Sequence, residues 1–167
     1  MAILKVIAIP DPLLKQASPE LKNVGDQTRR LACDMRETML SHKGCVGLAA
    51  VQVGVLARLI IVDVSLSANP HRSSGVLTMI NPVITHSSGK TSSREGCLSV
   101  PDFIGSVTRK KKIEVGYTDI DGQKRSLKTE GFEAVCIQHE IDHLDGIVFL
   151  DRVTSLKTDV FRRQESV

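Results

Sequence analysis

Apolar residues recur along this chain with two different spacings, and these spacings predict both helices and strands. Between Asp26 and His42, the apolar residues Leu31, Met35 and Met39 are four positions apart. This spacing places them on one face of a helix, so an amphipathic helix is predicted with Asp26 as its N-cap. We expect its apolar face to pack into the core.

Short apolar runs bounded by turn residues predict strands elsewhere in the chain. Asn81-Pro82 is expected to end one strand, and Asp121-Gly122 is expected to close a hairpin between two others. The predicted strands are 5–9, 59–64, 76–80, 83–85, 113–118, 123–129 and 147–150.

A second helix is predicted over 131–144, with Gly146 just past its end, and a short amphipathic helix over 155–164. Helices and strands do not alternate in βαβ order. The predicted fold class is therefore α+β, with short, mostly antiparallel strands around a central helix. The length of 167 residues, without internal repeats or linkers, predicts a single catalytic domain spanning 1–167.

The second predicted helix contains the pattern H-E-x-x-H, at His139, Glu140 and His143. Residues four apart on a helix share one face, so the two imidazoles can bind one metal ion. The glutamate then lies beside the metal, where it can accept the proton of a bound water. This helix therefore indicates a metal-dependent hydrolase.

A catalytic metal site needs a third protein ligand and an open position for water. Cys136 lies about 4.5 Å before His139 along the helix axis and about 10.5 Å before His143. It is therefore too far along the axis to bind an ion that both histidines hold. Cys97 follows Glu95-Gly96 in a stretch that suits an exposed turn, so it can come from a separate segment. We expect Cys97 to be the third ligand, with Glu95 as the rival.

The other cysteines have different expected roles. Cys136 shares a helix face with Phe132, Val135 and His139, which predicts an apolar wall beside the metal. Cys33 lies on the flank of the first helix's apolar stripe and is expected to pack there, while the role of Cys45 stays open.

The composition narrows the choice of partners and compartment. Aromatic residues make up 3% of the chain, with no Trp, which argues against base-stacking platforms and against DNA as a partner. The net charge of +3 permits contact with an acidic surface such as ribosomal RNA. We expect no membrane span and no export signal, and hence a cytoplasmic protein with free thiols, or an organellar mature form.

Three stretches in this order resemble the peptide deformylase family: GLAAVQ at 47–52, EGCLS at 95–99 and QHEIDH at 138–143. The combination is far more specific than H-E-x-x-H alone, and the alignment would cover nearly the whole chain. The resemblance implies that Cys97, His139 and His143 bind the metal. It also implies that Glu140 acts as general base and acid.

The resemblance implies further roles in binding a peptide. Gln52 and the backbone N–H of Leu98 would hold the formyl oxygen, Gly47 would lie against the substrate backbone, and Arg109 would pair with Glu95. The methionine side chain would enter a pocket bounded by four side chains, those of Val46, Phe132, Val135 and Cys136.

The implied reaction removes the N-formyl group from N-formylmethionyl nascent peptides and releases formate. The implied ion is Fe2+, with Zn2+, Ni2+ or Co2+ as alternatives. Transient ribosome contact is a further implied property. One departure is that Cys45 stands where the family's G-x-G pattern has its first glycine, which bears on substrate fit.

Two other functions are weighed against this one. A zinc endopeptidase would use the same helix but needs a downstream His or Glu ligand, and only Glu165, near the end, follows His143. A structural metal site would need a fourth protein ligand, for which the sequence offers no obvious residue.

Overall fold

The computed structural model describes residues 2–69 and 71–163, and within these ranges the chain forms two α helices and eight β strands. Every strand pair in the described ranges is antiparallel, which confirms the predicted α+β class. The helices are α1 (Asp26–Ser41) and α2 (Phe132–Leu144). The strands are β1 (Gly47–Ala49), β2 (Leu59–Val62), β3 (Leu77–Ser88), β4 (Thr91–Cys97), β5 (Val100–Arg109), β6 (Lys112–Thr118), β7 (Lys124–Glu130) and β8 (Val160–Arg162).

The strands form two sheets, with the orders β1-β2-β3-β6-β7 and β4-β5-β8. In the larger sheet, β2 is buried on both faces, because Ile60 and Val62 pack against the α2 side while Leu59 and Ile61 pack against the α1 side. An uninterrupted apolar run such as 59–62 is what a strand covered on both faces requires. The larger sheet therefore fixes the position of both helices.

Helix α2 is buried on nearly all sides, from Glu133 to Leu144. Ala134, Ile137 and Ile141 pack into the core against the sheet. The same helix also buries Glu and Asp side chains, and a buried charge is costly unless it is paired. Glu133 is bonded to Thr129 of β7 and to Ser74, and Asp142 is paired with Arg109 of the smaller sheet.

The first predicted helix is confirmed, with small differences. Gly25 is the N-cap and Asp26 is the first helical residue, so the predicted cap is one position late. Met35 and Met39 are buried as expected. Cys33 is exposed, and the prediction that it packs in the core is wrong. Two residues before Met35 on a helix, it points to nearly the opposite side.

Two strand predictions near the N-terminal half are wrong. Residues 5–9 are not a strand, and their backbone makes single hydrogen bonds, from Ile7 to the carbonyl of Gln52 and from Ile9 to that of Ser99. The chain does not break at Asn81-Pro82, because β3 continues through both residues. The register of the β3–β6 pairing shifts between Ile80 and Val83. At such a bulge, the missing backbone N–H of Pro82 removes no hydrogen bond between the strands.

The C-terminal predictions are also wrong in detail. Residues 147–150 do not form a strand, and a short 3-10 turn begins at Phe149. The helix predicted over 155–164 is replaced by a turn and strand β8, and residue 164 lies outside the described residues. β8 pairs with the outer edge of β5, whose backbone groups would otherwise lack partners.

The remaining local predictions are confirmed. The β6–β7 hairpin pairs from Lys112↔Glu130 to Thr118↔Lys124. Gly122 in its turn has a φ of 83°, a conformation that favours glycine. Over the described part of the chain, no helix has the length and apolar character needed to cross a membrane.

Candidate metal centre

Three potential metal ligands from two segments meet beside α2. His139 and His143 lie one helical turn apart, with ring centroids separated by 5.0 Å. Cys97 ends β4, and its Sγ lies 3.2 Å from Nε2 of His143. Within the described residues, the ligand atoms of these three side chains all lie within 4.8 Å of one another.

Cys97 reaches this position because it lies on the inner face of its strand. Buried and exposed residues alternate along β4 to its end, with Glu95 and Cys97 buried and Gly96 exposed between them. The register with β5 shifts directly after Gly96, where the strand ends. The side chain is buried, with 5% of its surface exposed. The expectation of an exposed turn is therefore wrong, although Cys97 does come from a segment separate from the helix.

The residues present fit a divalent metal ion. Two imidazoles and a thiolate are a common ligand set for transition metals. Burial lowers the pKa of His143 well below its ordinary value, which favours the neutral ring that a ligand needs. Burial also lowers the pKa of His139, but hydrogen bonds to Cys97 and Glu95 outweigh it and raise that pKa, so an ion binding there would displace a proton. Oε2 of Glu140 is buried without a hydrogen-bond partner among the described residues. A carboxylate oxygen that has no hydrogen-bond partner here is free to accept a proton from a water molecule that a bound metal activates.

A chain of buried charges orients His139. Its Nδ1 lies 2.8 Å from Oε2 of Glu95. Arg109 donates to both oxygens of the same carboxylate, over 2.5 and 2.9 Å, which confirms the expected Arg109–Glu95 pair. Burial alone would raise the pKa of Glu95, but the hydrogen bonds from His139 and Arg109 outweigh it and hold the pKa at about 2.

Sequence reasoning missed the continuation of this network. Arg109 also donates from Nη1 to Asp142, over 2.9 Å. Arg152 donates to both oxygens of Asp142, over 2.7 and 3.0 Å. Asp142 lies inside the H-E-x-x-H stretch, which is a signal that could have identified it. Arg152 carries no comparable signal, because only the fold brings it to the helix.

Glu140 lies against the backbone of β1. A Cβ built at Gly47 would lie 2.5 Å from Oε1 of Glu140 and 2.9 Å from its Cγ, so only glycine leaves room for this carboxylate. Burial raises the pKa of Glu140 to about 7, against the opposing charges of His139 and Arg109. A carboxyl group with a pKa near neutrality can both accept a proton and return it.

Gln52 is held in place on the opposite side of Cys97. Its Oε1 accepts a hydrogen bond from the backbone N–H of Ala49, over 2.9 Å. Its Nε2 donates to Sγ of Cys97 and to Oγ of Ser99, over 3.3 and 3.1 Å. One N–H of the amide therefore points toward the centre at Cys97, and Ser99 holds the other. Ser99, a buried partner, was not singled out in the sequence.

A cleft of about 510 Å³ opens onto these groups. The predicted substrate-contact residues all line it: Val46, Gly47, Phe132, Val135 and Cys136. Burial raises the pKa of the Cys136 thiol far above its ordinary value, so it stays protonated and suits an apolar wall better than a metal ligand. Leu98, Gln52 and Glu140 reach the same cleft.

The cleft also contains residues that the sequence analysis did not assign. Cys45 lies in its wall and donates from Sγ to the carbonyl oxygen of Gly47, over 3.1 Å. The extra side chain at this position thus has a local hydrogen-bond acceptor. The other unassigned lining residues are Lys43, Gly44, Ser93, Arg94, Gly96, Ile104 and Arg163.

Comparison with known proteins gives one consistent result. The model of the family described as polypeptide deformylase matches residues 3–159. The peptide deformylase of Brucella suis biovar 1 (strain 1330) is 40% identical over 161 residues, which cover 96% of this chain and 90% of that protein. The peptide deformylase of Rhizobium meliloti (strain 1021) is 42% identical over 165 residues, covering 98% and 92%. The crystal structure of the Ehrlichia chaffeensis peptide deformylase in complex with actinonin is 38% identical and superposes with a TM-score of 0.86, covering 94% of this chain and 92% of that one.

Proposed function

This chain belongs to the peptide deformylase family, and from that premise we propose how its own residues carry out the reaction. The chain is a metal-dependent hydrolase that removes the N-formyl group from N-terminal formylmethionine and releases formate. The observation that carries this function in the structure is the convergence of Cys97, His139 and His143, of which Cys97 and His139 line the cleft together with Glu140. We take residues 1–167 to act as one catalytic domain.

Cys97, His139 and His143 would hold the ion. When bound, the ion supplies Lewis acidity that makes water a nucleophile at neutral pH. We assign Fe2+ as the physiological metal, with Zn2+, Ni2+ and Co2+ as ions that the same ligands accept. Metal analysis and activity measurements after anaerobic purification would test the assignment of Fe2+. A fully active enzyme that contains only zinc would contradict it.

Glu140 accepts the proton of the attacking water and later gives it to the departing amine nitrogen. Its position next to the ligand atoms and its raised pKa suit both steps. Gly47 also lines the cleft, and we propose that the substrate backbone lies against it there. Formate and a free amino terminus are the products.

Gln52 and the backbone N–H of Leu98 donate hydrogen bonds to the formyl oxygen as negative charge develops on it. The hydrogen bond from Ala49 holds the Gln52 amide in position before substrate arrives. A donor placed in this way contributes about 10²- to 10³-fold in rate. The methionine side chain enters between the apolar residues Val46, Phe132, Val135 and Cys136.

The nascent peptide is the substrate partner, and we propose a cytoplasmic or organellar location in which nascent chains carry the formyl group. Transient contact with the ribosome stays a prediction. A long C-terminal helix would offer a surface for such contact. The last described residues do not form one, because residues 160–162 form strand β8.

The decisive test compares wild-type chain with Cys97→Ser in two assays side by side. Formate release from formyl-Met-Ala-Ser measures deformylation, and cleavage of an acetyl-blocked peptide of ten residues measures endopeptidase activity. We expect formate release by the metal-loaded wild type only, with reduced metal content in Cys97→Ser. Cleavage of the blocked peptide without formate release would contradict the proposal in favour of an endopeptidase.

A further inference from the structure

Three basic side chains form what we call the cationic rim of the cleft: Lys43, Arg94 and Arg163. None belongs to the metal centre or to its hydrogen-bond network. Two of them depend on strand β8, which lies alongside β5 in the smaller sheet. The rim is therefore a product of the C-terminal segment as well as of the motifs.

Arg163 reaches the cleft from just beyond β8. Its backbone N–H donates to the carbonyl oxygen of Asp102 over 2.9 Å, which extends the strand pairing by one residue. Its guanidinium lies directly against Gly96, the residue before Cys97. A Cβ built at Gly96 would collide with Nη2 of Arg163 and would lie 3.4 Å from its Cζ. Glycine at position 96 thus leaves the space that the guanidinium occupies.

Arg94 is positioned by the same strand. Its Cζ lies 4.6 Å from the centroid of the Phe161 ring, a cation–π contact. Phe161 is the middle residue of β8 and pairs with Ile104 of β5. Strand β8 therefore orients Arg94 through Phe161 and carries the chain to Arg163, the residue that follows it.

Among the described residues, no carboxylate is paired with the basic groups of the rim. Over residues 2–69 and 71–163, no carboxylate lies within 4.0 Å of the basic groups of Lys43, Arg94 or Arg163. The cleft has two carboxylates of its own, and Glu95 is already paired with Arg109. Only Glu140, at the floor, remains without a cationic partner of this kind.

We propose that the cationic rim binds a carboxylate of the peptide substrate beyond the formylmethionine, with Arg163 as the specificity-determining residue. The carboxylate is either an Asp or Glu side chain at the second or third residue, or the free C-terminus of a short formyl peptide. A guanidinium donates to a carboxylate through two parallel hydrogen bonds, and Lys43 and Arg94 add attraction at longer range. The inference rests on the proposed function, because it requires a formyl peptide in the cleft.

The experiment measures kcat and KM of the metal-loaded full chain on five formyl tripeptides. The neutral reference is formyl-Met-Ala-Ser amide. Formyl-Met-Glu-Ser amide and formyl-Met-Ala-Glu amide test side-chain carboxylates, the free acid of formyl-Met-Ala-Ser tests the terminal carboxylate, and formyl-Met-Lys-Ser amide tests the opposite charge. Arg163→Ala and Arg163→Glu are compared with Arg162→Ala, a matched control on the same strand that does not line the cleft.

We expect wild type to prefer at least one carboxylate peptide over the neutral reference. Comparison of the two side-chain carboxylate peptides with the free acid shows which carboxylate is bound. Arg163→Ala should lower that preference about fivefold through KM, the effect of a partly exposed ion pair. Arg163→Glu should favour the lysine peptide instead, and Arg162→Ala should keep the wild-type preference. Added salt should weaken the preference in wild type.

Four results would overturn the inference. They are hydrolysis by wild type without charge preference, an unchanged preference in Arg163→Ala, an equal loss on all five peptides, and the same change in Arg162→Ala. An equal loss would mean that the guanidinium contacts peptide carbonyls rather than a carboxylate. Failure of wild type to hydrolyse even the neutral reference would contradict the proposed function itself, and this outcome is distinct from hydrolysis without charge preference.

Discussion

Oε2 of Glu95 lies 2.8 Å from Nδ1 of His139, so a buried carboxylate orients a candidate metal ligand. The same carboxylate is fixed by two hydrogen bonds from Arg109, which is itself anchored to Asp142 on α2. A carboxylate in this position sets which ring nitrogen is free and how the ring is aimed. The ligand geometry of the helix therefore depends on strand β4.

Replacing Glu95 should weaken metal binding although Glu95 is not a proposed ligand. In Glu95→Gln, the amide no longer accepts two charge-assisted hydrogen bonds from Arg109 and no longer fixes His139. We expect metal affinity to fall about 10- to 100-fold. Chelator competition measures this change, and Glu130→Gln, at an exposed Lys112 pair, is the control. Wild-type affinity in Glu95→Gln would contradict the role given to this carboxylate.

Glu140→Ala should separate metal binding from hydrolysis. Cys97, His139 and His143 are unchanged in this variant, so we expect metal content close to that of wild type. Loss of the proton acceptor should reduce formate release from formyl-Met peptides by about 10²- to 10⁴-fold. Elemental analysis and a formate assay give the two readings. Turnover like that of wild type would rule out Glu140 as the general base.

Gly47→Ala should reduce kcat by displacing Glu140. The added Cβ would lie 2.5 Å from Oε1 of Glu140, so the carboxylate must move. A displacement of about 1 Å in a reacting group can cost about 10²-fold in rate. Gly116→Ala is the matched control, because a Cβ in that strand meets its nearest atoms at 4.0 Å. Equal kcat in both variants would show that the contact does not matter.

Cys45 should react slowly with iodoacetamide despite its place in the cleft wall. Burial raises its thiol pKa to about 12, and the charge of Glu140 contributes to the increase. Only the thiolate reacts, so at pH 8 the thiol is almost entirely in the unreactive form, and its reactivity should rise as the pH is increased. Cys33, exposed on α1, is the internal control. Mass mapping of the metal-loaded protein should find Cys33 labelled first. Labelling of Cys45 at the same rate would contradict the raised pKa of its thiol.

Local patterns in the sequence predicted α1, α2 and the β6–β7 hairpin. These elements follow from periodicity and from turn residues such as Asp121-Gly122, which act over a few positions. Strand β8 was mispredicted as a helix. Its three residues carry no decisive pattern, and its conformation comes from pairing with β5. The continuation of β3 through Asn81-Pro82 was missed for the same reason, because a bulge depends on the partner strand.

The sequence by itself determined the helix that carries H-E-x-x-H and, through three motifs, the family to which the chain belongs. Helical spacing is a local property, so the common face of His139 and His143 could be read directly. Only the tertiary structure decided how these side chains are held and what surrounds them. Contacts such as Arg109 with Asp142, or Arg163 with Gly96, join segments far apart in the chain, and no local spacing encodes which distant side chain will fill a given space.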